Sequence, residues 1–86
     1  DMLYSLRYSI CNYLVYKVEA AQKSSGRVEL KLDKKQLSDQ LAVTKRSINR
    51  VLKKLSQKGI LEFSSQIIII KDLKALKQEE ELSRYQ

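Results

Sequence analysis

The chain has 86 residues, 43% apolar and 31% charged. This length suits one small core and excludes two domains, and the mixture is too apolar for disorder. With no His and one Cys, His-based catalysis, an internal disulfide and a multi-Cys metal site are excluded, and a reducing, cytosolic setting is expected. Seventeen Lys/Arg against ten Asp/Glu give a net charge of +7, and residues 33–59 hold eight of those cations against only Asp33 and Asp39. A basic patch this focused suits a polyanion such as nucleic acid.

Residues 2–22 predict a helix, because Leu3, Leu6, Ile10, Leu14, Val18 and Ala21 recur at three- and four-residue steps, with Asp1 placed to cap it. Tyr4, Tyr8, Cys11, Tyr13, Val15 and Tyr16 make its other faces apolar too. Such a helix is expected to need cover from a second subunit or an upstream domain, and the chain, which begins with Asp, is expected to be a fragment. Cys11 reads as a small buried hydrophobe rather than a redox thiol. The tyrosines, Tyr85 included, read as packing groups rather than base-stacking platforms. Ser24, Ser25 and Gly26 signal a turn. Val28, Leu30 and Leu32 then alternate with Glu29 and Lys31 as in a half-buried strand, and Asp33 ends it and can cap the next helix.

The second helix spans residues 34–42, with Leu37 and Leu41 on one face. Ala42, Val43 and Thr44 break it, and Thr44 caps a third helix, Lys45–Gln57. Ile48, Val51, Leu52 and Leu55 form its buried stripe, and Gly59 closes it at the position that favours a left-handed residue. Residues 60–70 predict a β-hairpin around Ser64 and Ser65. Its Ile67–Ile70 run is far short of the ~20 residues a membrane helix needs and is an aggregation hazard if left as a free edge. Residues 73–85 predict a short helix on Leu73, Leu76 and Leu82. Glu79, Glu80 and Glu81 diverge by about 100° each and read as a solvated run rather than a metal cluster. No nucleophile–base pair and no Gly-rich phosphate loop occurs, so no catalysis is expected and no catalytic residue or metal ligand is assigned.

Two short helices with a three-residue break, the second capped by Thr and followed by a hairpin, outline a winged helix-turn-helix of the α+β class. In that arrangement one face of the third helix is buried and the opposite face meets base edges in the major groove. With Ile48 at zero, Val51, Leu52 and Leu55 fall within about 60°, while Lys53, Arg46 and Arg50 fall at about 140–200°, flanked by Asn49 and Lys54. Arg can fork onto guanine and Asn onto adenine, and lysines suit phosphates. An ordinary basic surface helix, a protein-interaction winged helix without nucleic-acid binding, and an RNA-binding winged helix are the alternatives at this stage.

Residues 32–70, LDKKQLSDQLAVTKRSINRVLKKLSQKGILEFSSQIIII, resemble the C-terminal DNA-binding domain of the Crp–Fnr family of bacterial transcription regulators. That family has a strand, a helix, a Gly–Leu–Ser-like turn, a helix with an R-x-L-x-x-L run, and a Gly–Leu–Ile step into a β wing. Leu37, Leu41, Val43, Thr44, Ser47, Ile48, Arg50, Leu52 and Leu55 match it, as do Gly59, Ile60 and Leu61. The resemblance covers about residues 5–77 and implies sequence-specific binding of double-stranded DNA for transcription regulation. By position it assigns base contacts to Lys45, Arg46, Asn49 and Arg50, and phosphate contacts to Thr44, Ser47, Lys53 and Lys54. Arg46 stands where the family usually has Glu, which implies a different half-site. Ala42 replaces the usual turn Gly, a residue that dislikes positive φ, and Asp33 replaces a Thr or Ser, which makes capping its expected job. The resemblance further implies one domain over residues 1–86, an upstream sensor domain with an effector of unknown kind, no cofactor within these residues, homodimerisation through the upstream region, contact with RNA polymerase, and a cytoplasmic site of action.

Overall fold

Four helices, each opened by a side-chain cap, and three short strands follow one another in the computed structural model, which describes residues 5–21 and 27–84. They are α1 (Leu6–Ala20), β1 (Val28–Lys31), α2 (Lys34–Leu41), α3 (Lys45–Gln57), β2 (Leu61–Phe63), β3 (Ile67–Ile70) and α4 (Leu73–Leu82). Asp33 Oδ1 accepts from the Gln36 amide at 3.1 Å and Thr44 Oγ1 from the Ser47 amide at 3.1 Å, the two caps expected from the residue types. Asp72, just past β3, caps α4 through the Ala75 amide at 3.0 Å. Helix α1 starts on Ser5, whose Oγ accepts from the Tyr8 amide at 3.0 Å. The expected cap Asp1, the apolar Leu3 and Tyr4, the turn of Ser24, Ser25 and Gly26, and Tyr85 lie outside the described residues.

The sheet is antiparallel in the order β1-β3-β2. Ile70 stands opposite Val28 on one side and Leu61 on the other, and Ile68 opposite Leu30 and Phe63. These residues share the inner face, since alternate residues of a strand point the same way. Ile68 and Ile70 are buried, whereas Ile67 and Ile69 on the outer face are half-buried beside the charged strand residues. The isoleucine run is therefore the central strand, paired on both sides, and the free-edge hazard does not arise. The hairpin closes where the Ser64 amide donates to the Ile67 carbonyl at 2.9 Å, and the Leu32 amide extends the β1 pairing to the Gln66 carbonyl at 2.8 Å.

Two expectations about the termini are corrected. Helix α1 was expected to need cover from outside the chain, but much of that cover comes from within. It packs most extensively on α4, with Asn12 donating to Glu80 at 2.9 Å and Lys77 3.7 Å from Glu19. Ile10, Cys11, Leu14, Val15 and Val18 are all buried, and Tyr16 is left 67% exposed. The three consecutive glutamates were expected to be solvated. Glu81 is exposed and Glu80 half-buried, but Glu79 is 5% exposed. It survives there because Lys58 Nζ lies 3.0 Å from both its oxygens and Arg7 Nε 3.4 Å from one, pairing a charge that would otherwise be costly to bury.

Helices α2 and α3 each end on a left-handed residue. Ala42 adopts φ 57° and ψ 45°. Its amide reaches the Asp39 carbonyl at 3.4 Å and the Val43 amide reaches Ser38 at 3.1 Å, the paired bonds of a Schellman turn. The Ser38 hydroxyl also donates to the Val43 carbonyl. The missing Gly thus leaves the turn geometry intact at the cost of a strained alanine. Gly59, at φ 78°, ends α3 the same way, its amide on Ser56 at 2.9 Å and the Ile60 amide on Leu55 at 3.1 Å.

Relief of the left-handed strain, partly offset by glycine's greater unfolded-state entropy, should make Ala42→Gly about 0.5–1 kcal/mol more stable; a higher denaturant midpoint at unchanged m-value is the check. Burial, and secondarily the charge of Glu79, push the Cys11 thiol up from 9.0 to about 12. The fold therefore favours the neutral thiol, and this contribution is complete below pH 9 and declines as pH rises toward 12. A Cys11→Ala variant, less stable at neutral pH, should show a shallower alkaline decline than wild type in denaturant titrations; an equal decline would exclude Cys11 as a source of it.

Candidate nucleic-acid interface

Helix α3 is held by one face. Ile48, Leu52 and Leu55 are fully buried and Val51 partly so, packed against the core built by Leu37, Leu61, Ile68 and α1. Burial on this scale stabilises by about 1.5–3 kcal/mol per side chain. Six side chains on the other faces, Lys45, Arg46, Asn49, Arg50, Lys53 and Lys54, are exposed. Arg46 and Arg50 sit one turn apart, about 6 Å along the axis. The five cations of this set make no ion pair with any carboxylate among the described residues. Their field is uncompensated at close range, as binding of an anionic partner requires.

Thr44 and Ser47 meet at the start of α3, as their positions led one to expect, but they are not equivalent. Thr44 Oγ1 accepts from the Ser47 amide and donates to Ser47 Oγ at 3.0 Å. One of the two hydroxyl protons is therefore used within the cap, and the pair keeps the other for an outside acceptor. Asp33, exposed, is engaged as a cap in the way its residue type suggested.

The structure also assembles a basic surface that the reading of the sequence missed. Lys17 of α1, Lys31 of β1, Lys34 and Lys35 of α2, and Lys45 of α3 line one open groove of about 700 Å³ beside the hairpin tip, with Asp33 its one carboxylate. Lys34 Nζ stands 5.4 Å from the centroid of the Phe63 ring and Lys17 Nζ 5.6 Å from that of Tyr13, cation–π distances that hold both stems against the body of the domain. Lys34 and Lys35 were visible as a basic pair at a helix start. Lys17 and Lys31 lie on other elements, and only the packing of α1 and β1 beside α2 joins them to the patch. A smaller depression of about 320 Å³ on the flank of α3 is lined by Ser5, Arg7, Arg50, Val51 and Lys54.

Among the described residues no group of three His, Cys, Asp or Glu side chains could hold a metal ion, and no helix is long and apolar enough to cross a membrane.

A short helix, a tight turn and an exposed basic helix, followed by a β-hairpin on a three-stranded sheet, define a winged helix-turn-helix. Residues 9–79 match the family of Crp-like helix-turn-helix domains, most of the chain, and the protein belongs to that family. Its general function is accordingly DNA binding in transcription regulation, and the family is a non-enzymatic one. No curated protein sequence matches the chain closely.

Proposed function

We propose that this domain binds double-stranded DNA sequence-specifically, with α3 in the major groove. Lys45, Arg46, Asn49 and Arg50 read base edges, and Ser47, Lys53 and Lys54 contact phosphates, with Thr44 acting chiefly by orienting Ser47. Lys17, Lys31, Lys34 and Lys35 of the groove beside the hairpin tip take the phosphates flanking the half-site. The observation that carries this reading is the pairing of opposite faces on one helix: a buried apolar stripe of Ile48, Leu52 and Leu55, and across from it Arg46, Arg50, Lys53 and Lys54 without a carboxylate partner among the described residues. A helix about 10–12 Å across fits a major groove about 12 Å wide. Arg46 and Arg50 can each fork onto guanine and Asn49 onto adenine.

The working unit is a homodimer joined through an upstream region that carries a sensor domain, in the cytoplasm, with RNA polymerase as a further partner. Two copies address half-sites about 34–36 Å apart. One isolated domain buries about 600–1,000 Å² on DNA and binds weakly and with strong salt dependence.

Titration of labelled duplex at several salt concentrations tests the reading. Binding confined to single-stranded or hairpin RNA, or no salt-dependent duplex binding at all, would overturn it. Arg50→Ala is expected to cost about 1–3 kcal/mol on the preferred duplex and to relax discrimination at one base pair; an unchanged preference removes Arg50 from the reading head. Lys53→Ala should weaken all duplexes alike and reduce the salt slope by about one. A Lys34→Gln/Lys35→Gln double variant should act in the same sequence-independent way with about twice that slope change, whereas a slope equal to wild type would exclude the lysine groove from the interface.

A further inference from the structure

We propose that Glu79 of α4 is a positioning and specificity-determining residue of the DNA-reading site, anchoring the C-terminal end of α3 and masking Arg7 so that the α1 flank does not attract DNA of every sequence. The inference rests on the DNA-binding reading above.

One carboxylate joins three helices. Glu79 lies almost wholly out of solvent. Lys58 Nζ donates to both its oxygens at 3.0 Å, and Arg7 Nε lies 3.4 Å from Oε2. Its own turn is held from below, where the Ser83 hydroxyl donates to the Glu79 carbonyl at 2.7 Å. Ser83 in turn accepts, at its carbonyl, the hydroxyl of Ser5 at 2.9 Å, so the start of α1 is pinned to the end of α4.

Each cation that Glu79 holds bears on α3. Lys58 caps the C-terminal end of that helix, eight residues and about 12 Å along the axis from Arg50. A grip there, beyond the Gly59 turn's own hydrogen bonds, limits the tilt of the reading face. Arg7 lines the same flank depression as Arg50 and Lys54. Of these three cations, Arg50 and Lys54 face no carboxylate among the described residues, whereas Arg7 faces Glu79 and shares its single charge with Lys58. Phosphate attraction is indifferent to sequence, whereas base-edge contacts are not. A masked Arg7 therefore favours discrimination over bare affinity.

The test uses the full chain and two labelled duplexes of equal length: the best binder from a random-sequence selection and a scrambled version of it. Affinities are measured over a series of salt concentrations for wild type, Glu79→Gln, Arg7→Gln and the double variant, with thermal melts alongside. Glu79→Gln keeps an acceptor for Lys58 but removes the charge. Its salt slope on scrambled duplex should steepen by about 0.9, one added phosphate contact. Its low-salt affinity for that duplex should rise, and the ratio of selected to scrambled affinity should fall. Arg7→Gln alone should leave the slope at the wild-type value, and the double variant should return to it. A purely structural Glu79 would weaken both duplexes in parallel at constant slope, which would overturn the inference, as would a steep slope that persists in the double variant. Should Glu79→Gln fail to fold, Arg7→Gln decides: a slope shallower than wild type means Arg7 already meets phosphate, and the masking role is refuted. Wild type that binds neither duplex refutes the DNA reading itself, which is a separate result from an unchanged slope in the variants.

Discussion

The two-sidedness of α3 is the constraint on which the rest depends. Its inner stripe of Ile48, Leu52 and Leu55 is fully out of water, worth about 1.5–3 kcal/mol for each side chain. Its outer face carries Arg46, Arg50, Lys53 and Lys54, which repel one another. Repulsion between like charges on an exposed helix costs only about 0.2–0.5 kcal/mol per neighbouring pair, because water screens it. Burial wins by a wide margin, so the helix can keep an unneutralised cationic face without losing its place in the fold.

That margin alone does not orient the helix; its ends do. The Ala42 turn delivers the chain into Thr44 at a set angle, and the strained alanine is retained because Val43 and Ser38 bond across it. At the far end Gly59 turns the chain into the hairpin. The Ile60 carbonyl there accepts the Lys71 amide at 2.9 Å and the Asp72 amide at 3.2 Å, tying the exit of α3 to the start of α4. Helix α3 is thus held at both termini as well as along its inner face, the rigidity that the proposed reading of base edges needs.

The distribution of acids serves the same end. Glu62 lies between Arg27 and Lys71, Glu19 pairs with Lys77, Glu81 with Arg84, and Glu79 with Lys58 and Arg7. Asp33 and Asp72 are engaged as caps. Apart from the buried Glu79 cluster, these are exposed pairs that contribute about 0–1 kcal/mol each, so their effect on stability is slight. Their effect on the field is larger: these ion pairs lie around α1, α4, the far end of α3 and the sheet, and the α2–α3 unit is left with its charge unspent.

Local rules make much of this legible in the sequence. Helix caps at Asp33 and Thr44, the Gly59 stop, the period-two strand and the two faces of α3 depend on neighbours a few residues apart, and the residue types declare them. Glu79 was misread for the opposite reason. In a run of three glutamates nothing local says that Lys58 and Arg7 will converge on the first of them, and burial of a charge is decided by partners from distant parts of the chain. Lys17 and Lys31 joined the basic groove, α4 covered α1, and the isoleucine strand took the centre of the sheet by the same kind of long-range placement. Periodicity and capping, being short-range, were settled by the order of residues, whereas which charges are paired with carboxylates and which are left unpaired among the described residues was decided by packing between elements.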